Sequence, residues 1–140
     1  MKILAAVDGS PATKRMVAYL SAHDEWLGAH HAYTFLTVVP AVPPRAAAVI
    51  EKSLLETYYA EQAEAIFKPL RTFTSKRGID AQFVTQIGHA GEKLCKVATS
   101  GKFDLVLMGS RGHSRLMNLV LGSVATQVLA GCGVPVLLIR

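Results

Sequence analysis

Apolar residues along the chain form five short runs, which predict five buried strands. The runs cover residues 3–7, 32–39, 81–87, 103–108 and 134–139. Neighbouring positions within each run are apolar instead of alternating with polar ones, which is typical of parallel strands covered on both faces. The segments between the runs have helical spacing. This alternation implies an open five-stranded parallel sheet with helices on both faces, a Rossmann-like single domain over residues 1–140.

Capping residues mark where the predicted helices begin. Ser10 is a favourable N-cap and Pro11 suits the first helical position, so the first helix follows the first strand directly. Its inward residues recur at helical spacing at Met16, Val17, Leu20 and Leu27. Short helices are predicted over residues 91–100 and over residues 124–129, the second with Ser123 as its N-cap.

The longest helical pattern covers residues 46–77 and carries an apolar stripe. The stripe consists of Leu54, Tyr58, Ile66, Leu70 and Phe73. Pro69 lies inside this pattern, where it lacks a backbone N–H and crowds the preceding turn. It is therefore predicted to kink or split the helix.

A glycine-rich stretch after the fourth strand is the most informative part of the chain. Gly109 and Gly112 are followed, after nine further residues, by Gly122, Ser123 and Val124. Glycine permits positive φ and lets the backbone approach a ligand without a Cβ in the way. The free backbone N–H groups at the start of the next helix attract an anion. The stretch is therefore predicted to cradle phosphate, mostly through backbone N–H groups, with the Ser123 hydroxyl as an added donor. The alternative is that the glycines serve only as turns between a strand and a helix.

The spacing of this stretch resembles the G-x2-G-x9-G-[ST] signature of the universal stress protein family, in its ATP-binding branch. Met108 before the motif and Val124-Ala125 after it are similar to the family too, and the resemblance extends over essentially the whole chain. It implies the strand order 3-2-1-4-5, which places Asp8 after the first strand opposite Gly109 after the fourth. Ligands of open α/β sheets bind at such a switch point.

The resemblance also implies roles for residues around an adenine nucleotide. Val38, near the end of the second strand, matches the position that meets the adenine, with plain core packing as the alternative. Asp8 matches a position at the nucleotide, where a carboxylate accepts hydrogen bonds from ribose or reaches a magnesium ion near the phosphates. Capping of the Gly9 turn or of the first helix is the alternative for Asp8. The implied cofactor is ATP, with Mg²⁺.

Charged residues within the motif leave the mechanism open. The loop carries Arg111, His113, Ser114 and Arg115, which are placed to add charge or hydrogen-bond donors near the phosphates. A solvent-exposed loop without a role in binding would have the same composition. Neither a P-loop lysine nor a spaced catalytic triad stands near the cradle to activate water.

We therefore expect an ATP-binding protein of stress response or signalling, acting through nucleotide-dependent contacts with unknown protein partners. The alternatives are a slow ATP-hydrolysing or phosphoryl- or nucleotidyl-transferring enzyme, a binder of AMP or a cyclic nucleotide, and a nucleotide-independent interaction module.

Composition argues against several other classes of protein. Fifteen Lys and Arg against ten Asp and Glu give a net charge of +5, but the basic residues are scattered along the chain, so nucleic-acid binding is not expected. The longest uncharged run, residues 116–139, is divided by glycines and predicts a helix and a strand instead of a membrane span. Cys95 and Cys132 lack metal spacing and are interpreted as small buried thiols of a reducing compartment. Because the first residues show no export signal, a cytoplasmic protein is expected.

The last strand, from Val134 to Ile139, predicts a contact between subunits. Its apolar residues point to both faces, and Arg140 alone follows it in the sequence, so its edge is left uncovered. An exposed edge strand tends to pair with another strand. The expectation, which the family resemblance shares, is a two-fold homodimer in which this strand pairs with its copy.

Overall fold

Five parallel strands form a sheet with helices on both faces. The computed structural model describes residues 1–113 and 120–140. The strands are β1 (Lys2–Ala6), β2 (Ala32–Val39), β3 (Ala81–Ile87), β4 (Leu105–Gly109) and β5 (Val136–Ile139). The helices are α1 (Pro11–Ala22), α2 (Asp24–Leu27), α3 (Pro44–Ala47), α4 (Lys52–Lys76), α5 (Ala90–Ser100) and α6 (Ser123–Gly131). The strand order is β3-β2-β1-β4-β5, so the predicted fold class and order are confirmed.

β1 lies at the centre of the sheet, where the strand order reverses. Leu4 of β1 pairs with Thr34 of β2 on one side and with Val106 of β4 on the other. Because the strands are parallel, their carboxyl ends lie at the same edge of the sheet. The residues that follow β1 and β4 are therefore brought to one place.

Two apolar layers cover the two faces of the sheet, as the continuous apolar runs predict. Ile3 belongs to a cluster that includes Met16 of α1 and Phe67 of α4. The adjacent Leu4 points to the other face and clusters with Leu94 of α5. All five side chains are at most 3% exposed. Burial of a side chain of this size stabilises the fold by about 1.5–3 kcal/mol, so both layers hold the sheet in place.

The start of α1 follows the predicted cap. Ser10 has extended backbone dihedrals, and its hydroxyl oxygen accepts a hydrogen bond from the Ala12 N–H at 3.2 Å. Pro11 occupies the first helical position, as predicted. The helix ends at Ala22, however, and the buried Leu27 lies on the separate helix α2. The apolar spacing thus continues across a break in the helix.

The long helical segment is interrupted at a different place from the one predicted. The break lies at residues 48–51, between α3 and α4, where Val49 and Ile50 are β-branched and weak helix formers. Pro69 does not split the helix, because α4 runs without interruption from Lys52 to Lys76. Phe67 and Leu70, on either side of Pro69, are both buried. Their packing against the sheet outweighs the lost backbone hydrogen bond.

The buried stripe of α4 is also shifted from the predicted one. Leu54 and Tyr58 are 61% and 44% exposed, so the first part of the helix does not pack on the sheet. Packing begins at Tyr59, whose hydroxyl oxygen accepts a hydrogen bond from the Val42 N–H at 2.9 Å. Within residues 1–113 and 120–140, neither α4 nor any other helix is both long and apolar enough to cross a membrane.

Cys95 of α5 and Cys132, directly after α6, carry free thiols, as predicted. Both are half-buried beside the cluster that contains Leu4, so they are less buried than the sequence indicated. Burial raises the pKa of the Cys95 thiol, and the neighbouring Cys132 raises it further. The thiol form of Cys95 is therefore favoured over the reactive thiolate.

Candidate functional site

A cavity of about 340 Å³ opens at the carboxyl edge of the sheet, between the ends of β1 and β4. Small-molecule sites in proteins have volumes of about 300–1,000 Å³. All nine site residues predicted from the sequence line this cavity. They are Asp8, Val38, Met108, Gly109, Arg111, Gly112, Gly122, Ser123 and Val124. The fold thus gathers residues from four separate parts of the chain around one space.

Asp8 lies between β1 and α1, and its two carboxylate oxygens face different partners. Oδ1 accepts hydrogen bonds from the Ser10 N–H at 2.9 Å and from the Thr13 hydroxyl at 3.3 Å. Oδ2 lies beside Gly112 and 4.0 Å from His113 Nε2. The side chain is 43% exposed. One oxygen therefore holds the local turn, while the other is left on the side of the cavity.

The glycines of the motif serve close approach of backbone segments instead of positive φ. Within the described part of the chain, the glycines with positive φ are Gly9, Gly78 and Gly88. The motif glycines therefore do not use the positive φ that glycine permits. A Cβ on Gly109 would lie 2.5 Å from the Ala12 Cβ, and one on Gly112 would lie 2.9 Å from Asp8 Oδ2. A Cβ on Gly122 would lie 3.3 Å from the nearest backbone atom of the loop after β4.

Ser110 connects this loop to its neighbours. Its N–H donates to the Ile139 carbonyl at 3.0 Å, at the end of β5, and its own carbonyl accepts from the Gly122 N–H at 2.7 Å. The residue is 3% exposed. The loop after β4 is thereby fixed both to the last strand and to the start of α6.

The first turn of α6 supplies backbone donors to the cavity. Gly122 is the N-cap, with φ −74° and ψ 168°, and its carbonyl accepts the first helical hydrogen bond from the Thr126 N–H at 3.1 Å. The prediction of Ser123 as the N-cap is therefore wrong by one residue. The N–H groups of Ser123, Val124 and Ala125 have no helical acceptor one turn earlier, and all three residues line the cavity. Glycine has no side chain to cap them, and none of the described residues accepts a hydrogen bond from them. Such N–H groups attract an anion.

Part of the cavity is an apolar slot. Val38 of β2 and Met108 of β4 line this slot, together with Leu36 and Leu94, and all four belong to one apolar cluster. Ala90, at the start of α5, also lines the cavity. Apolar walls with a few convergent polar groups are typical of small-molecule sites. The cavity thus combines an apolar slot with the backbone donors at the start of α6.

Arg111 and His113 line the cavity from the loop after β4. His113 Nε2 lies 2.7 Å from the Asp8 carbonyl oxygen. Because a carbonyl oxygen accepts only, Nε2 carries the proton and donates it. His113 thereby links this loop to the end of β1. Ser114 and Arg115, the other two loop residues named from the sequence, lie outside the described residues.

The structure adds cavity residues that sequence reasoning missed. Thr13 donates to Asp8 Oδ1 and also accepts from the Asp8 N–H at 3.2 Å. Its position in the first helical turn after Asp8 was the sequence signal that could have identified it. Leu36 lies two residues before Val38 on the same face of β2, which the strand period indicates. Ser110 lies within the glycine motif and Ala125 directly after it, which was the available signal for both. The remaining lining residues carry no clear sequence signal and are Ala6, Val7, Ala12, Ala90 and Leu94.

The part of the chain that is described holds no group of side chains suited to bind a metal ion without further ligands. No group of three or more His, Cys, Asp and Glu side chains comes together there. Asp8 is the acidic residue among those that line the cavity.

Comparison with known proteins gives matches over the whole chain. The family model described as "Usp: Universal stress protein family" matches residues 1–140. The Thermus aquaticus "Universal stress protein in QAH/OAS sulfhydrylase 3'region" is 33% identical over 145 residues, which cover 99% of this chain and 97% of that protein. The Synechocystis universal stress protein Slr1230 is 40% identical over 65 residues, 46% of this chain, and the match spans 23% of that longer protein.

Solved structures of the same fold are similar over their full length. MJ0577 of Methanocaldococcus jannaschii has a TM-score of 0.81 at 24% identity, covering 99% of this chain and 94% of that chain. A universal stress protein in complex with cAMP has a TM-score of 0.71 at 19% identity, covering 100% and 97%. The Archaeoglobus fulgidus protein in complex with dAMP has a TM-score of 0.69 at 16% identity, covering 100% and 98%. With its family match over all 140 residues and a full-length relative at 33% identity, the chain belongs to the universal stress protein family.

Proposed function

We propose that the chain binds an adenine nucleotide, ATP, in the cavity between β1 and β4, and acts in stress response or signalling through nucleotide-dependent contacts with protein partners. The observation that carries the proposal is that the first turn of α6 and an apolar slot line the same cavity, and that the N–H groups of this turn have no acceptor among the described residues. Two structures of the same fold hold cAMP and dAMP, which are both adenine nucleotides.

The proposed pose follows the polarity of the cavity. The adenine lies in the slot between Val38 and Met108, and a phosphate accepts from the N–H groups of Ser123, Val124 and Ala125. Hydrogen bonds to a charged group contribute about 1.5–3 kcal/mol each, so three of them support binding in the micromolar range after the cost of association.

Asp8 is the residue of the cavity suited to the ribose or to a cation. Its Oδ2 is on the cavity side, where it accepts from a ribose hydroxyl or binds a Mg²⁺ ion. Mg²⁺ in nucleotide sites takes one or two carboxylates and completes its shell with phosphate oxygens and water. A single carboxylate beside the phosphate position fits that requirement.

A pair of variants at Ser123 tests the role of the backbone donors. Ser123→Pro removes the N–H at the first helical position, where proline is well tolerated, and the extended ψ of 168° at Gly122 suits a following proline. Ser123→Ala removes the hydroxyl and keeps the N–H. We expect ATP affinity, measured by isothermal titration calorimetry, to be about tenfold weaker for Ser123→Pro than for Ser123→Ala. Equal affinity of the two variants would contradict the assignment.

Nucleotide holding, instead of rapid hydrolysis, is the proposed activity. Among the described residues, the titratable side chains that line the cavity are Asp8, Arg111 and His113, and His113 Nε2 already donates to the Asp8 carbonyl. Slow hydrolysis or phosphoryl transfer remains the alternative. The rate at which inorganic phosphate is released from ATP in the presence of Mg²⁺ distinguishes nucleotide holding from hydrolysis. Fast release that is lost in Asp8→Asn would establish an ATP-hydrolysing enzyme instead.

We further propose a two-fold homodimer through β5. This strand pairs with β4 on one side and is at the end of the sheet order. Its residues Val136, Leu137 and Leu138 are only half-buried within one chain. Pairing with a copy would cover both the free strand edge and these side chains. Sedimentation equilibrium at micromolar concentration tests the proposal, and a mass equal to the 15.0 kDa of one chain would contradict it.

A further inference from the structure

A second cavity, of about 420 Å³ and open to solvent, adjoins the nucleotide cavity, and its lining residues are all exposed and mostly basic. Its lining residues are Pro11, Arg15, Arg111, Gly112 and Arg140. Arg111 and Gly112 line both cavities. The loop after β4 is therefore the wall that the two cavities share.

Three separate elements bring the arginines to this cavity. Arg15 lies on α1, Arg111 follows β4 and Arg140 directly follows β5. β4 and β5 are adjacent, with Gly109 opposite Ile139, so Arg111 and Arg140 leave the sheet at the same edge. α1 packs against both of these strands and carries Arg15 to the same place.

The three guanidinium groups are not paired with carboxylates in the described part of the chain. Ion pairs within 4.0 Å there join Lys52 to Glu56, Arg71 to Glu64 and His113 to Asp8. The six residues outside it, 114–119, include no Asp or Glu. Three like charges around one cavity create a positive potential that attracts anions. Guanidinium groups bind phosphate well because they offer two parallel N–H donors.

We infer that this basic cavity holds the β- and γ-phosphates of the nucleotide whose base and first phosphate occupy the adjoining cavity, an inference that rests on the proposed function. A nucleoside monophosphate contacts the N–H groups of α6 and ends there. A triphosphate extends past Gly112 and comes within reach of Arg15 and Arg140. These two residues lie outside the glycine motif, and they give the site its preference for ATP over AMP.

Nucleotide binding by arginine variants tests the inference. The wild type, Arg15→Ala, Arg140→Ala and the double variant are titrated with ATP, ADP and AMP at fixed salt concentration. Arg45→Ala is the matched control, because Arg45 is an exposed arginine on α3 that lines neither cavity. Each single variant is expected to weaken ATP binding about tenfold, while AMP binding changes by less than about threefold and Arg45→Ala resembles the wild type. Circular dichroism verifies that the variants are folded.

Inorganic tripolyphosphate is the second probe, because it lacks base and ribose. It is expected to displace ATP from the wild type, with a weaker effect in the double variant. If tripolyphosphate binds together with ATP, the cavity is a separate anion site and the inference is overturned. The same conclusion follows if ATP and AMP affinities fall equally in the variants, or if neither falls. A wild type that binds none of the three nucleotides would instead overturn the proposed function itself.

Discussion

Substitution of Gly109 by alanine tests how closely the loop after β4 and α1 approach each other. The added Cβ would lie 2.5 Å from the Cβ of Ala12 and 3.2 Å from the carbonyl oxygen of Arg111. Carbon atoms in favourable contact are about 3.5–4.0 Å apart, so the end of β4 and the first turn of α1 must separate by about 1 Å. Ala12 is 4% exposed and has little room to move away.

The expected cost is that of overpacking a buried contact, about 1–3 kcal/mol of unfolding free energy. Urea denaturation measures it, followed by far-ultraviolet circular dichroism and by the fluorescence of Trp26, which is the one tryptophan of the chain. Nucleotide affinity is expected to fall as well, since both Gly109 and Ala12 line the cavity.

Gly131→Ala is the matched control for this substitution. A Cβ at Gly131 meets nothing within 4 Å, and the residue lies in α6 without positive φ. Alanine is favoured over glycine in helices by up to about 1 kcal/mol, so this variant is expected to be as stable as the wild type or more so. Gly109→Ala should therefore lower the unfolding free energy, while Gly131→Ala should not.

A second-site change distinguishes the proposed clash from a general loss of stability. Ala12→Gly removes the atom that the new Cβ would meet, at a cost of its own of about 1 kcal/mol. If the clash is the cause, Gly109→Ala combined with Ala12→Gly is less destabilised than the sum of the two single variants, by about 1 kcal/mol or more. Additive effects, or a Gly109→Ala protein within about 0.5 kcal/mol of the wild type, would refute the reasoning.

Three further predictions concern stability and reactivity outside the cavity. Burial, with a contribution from the Asp24 carboxylate, raises the pKa of Tyr33 from 10.0 to about 12. The neutral form of Tyr33 therefore stabilises the fold below pH 10, and this stabilisation is lost as the pH rises through 12. A pKa difference of about two corresponds to about 3 kcal/mol of unfolding free energy. Urea denaturation from about pH 9 to 12 should show the unfolding free energy of the wild type decline, with a flatter profile for Tyr33→Phe. Pro69→Ala restores a backbone N–H donor inside α4 at an exposed position. It is expected to raise the unfolding free energy by about 1 kcal/mol or more, and an unchanged or lower value in the same assay would contradict this. Because the pKa of Cys95 is raised, iodoacetamide should alkylate this thiol more slowly in the native protein than in urea at pH 8. Mass spectrometry of the labelled peptide measures both rates, and equal rates would contradict the prediction.

The sheet and its order were predictable because the local signals and the topology agree. The apolar runs of β2 and β3 match the observed strands residue for residue, and Ser10 with Pro11 begins α1 as expected. These signals depend on a few neighbouring residues, whose backbone preferences the surrounding fold does not contradict. The strand order came from the family resemblance and is confirmed by the pairing of β1 with both β2 and β4.

The errors occur where distant contacts override local preference. The effect of Pro69 depends on whether the residues around it are buried, which the helical pattern alone does not reveal. The shifted stripe of α4 has the same cause, since Leu54 and Tyr58 lie on a part of the helix that does not reach the sheet. The N-cap at Gly122 depends on the approach of the loop that begins at Ser110, through the hydrogen bond between the two residues.

The candidate cavity was predictable to the extent that its residues flank strand ends. Asp8, Val38 and Gly109 come at or near the ends of three adjacent parallel strands, so their neighbourhood follows from the fold. Arg15 and Arg140 had no such signal. One lies on the outer surface of a helix and the other follows an edge strand, and only the adjacency of β4, β5 and α1 brings them to one cavity.

The two hydrogen bonds of Ser110 make the local stability of the cavity depend on the last strand. β5 has four residues and one neighbouring strand, so fraying of this strand requires less free energy than opening of the central strands β1 and β2. When Ile139 leaves the sheet, Ser110 loses the acceptor of its N–H, and the loop that holds Gly122 loses its anchor. Amide protons of the loop should therefore exchange at the rate of the sheet edge, and a partner that covered β5 would slow that exchange.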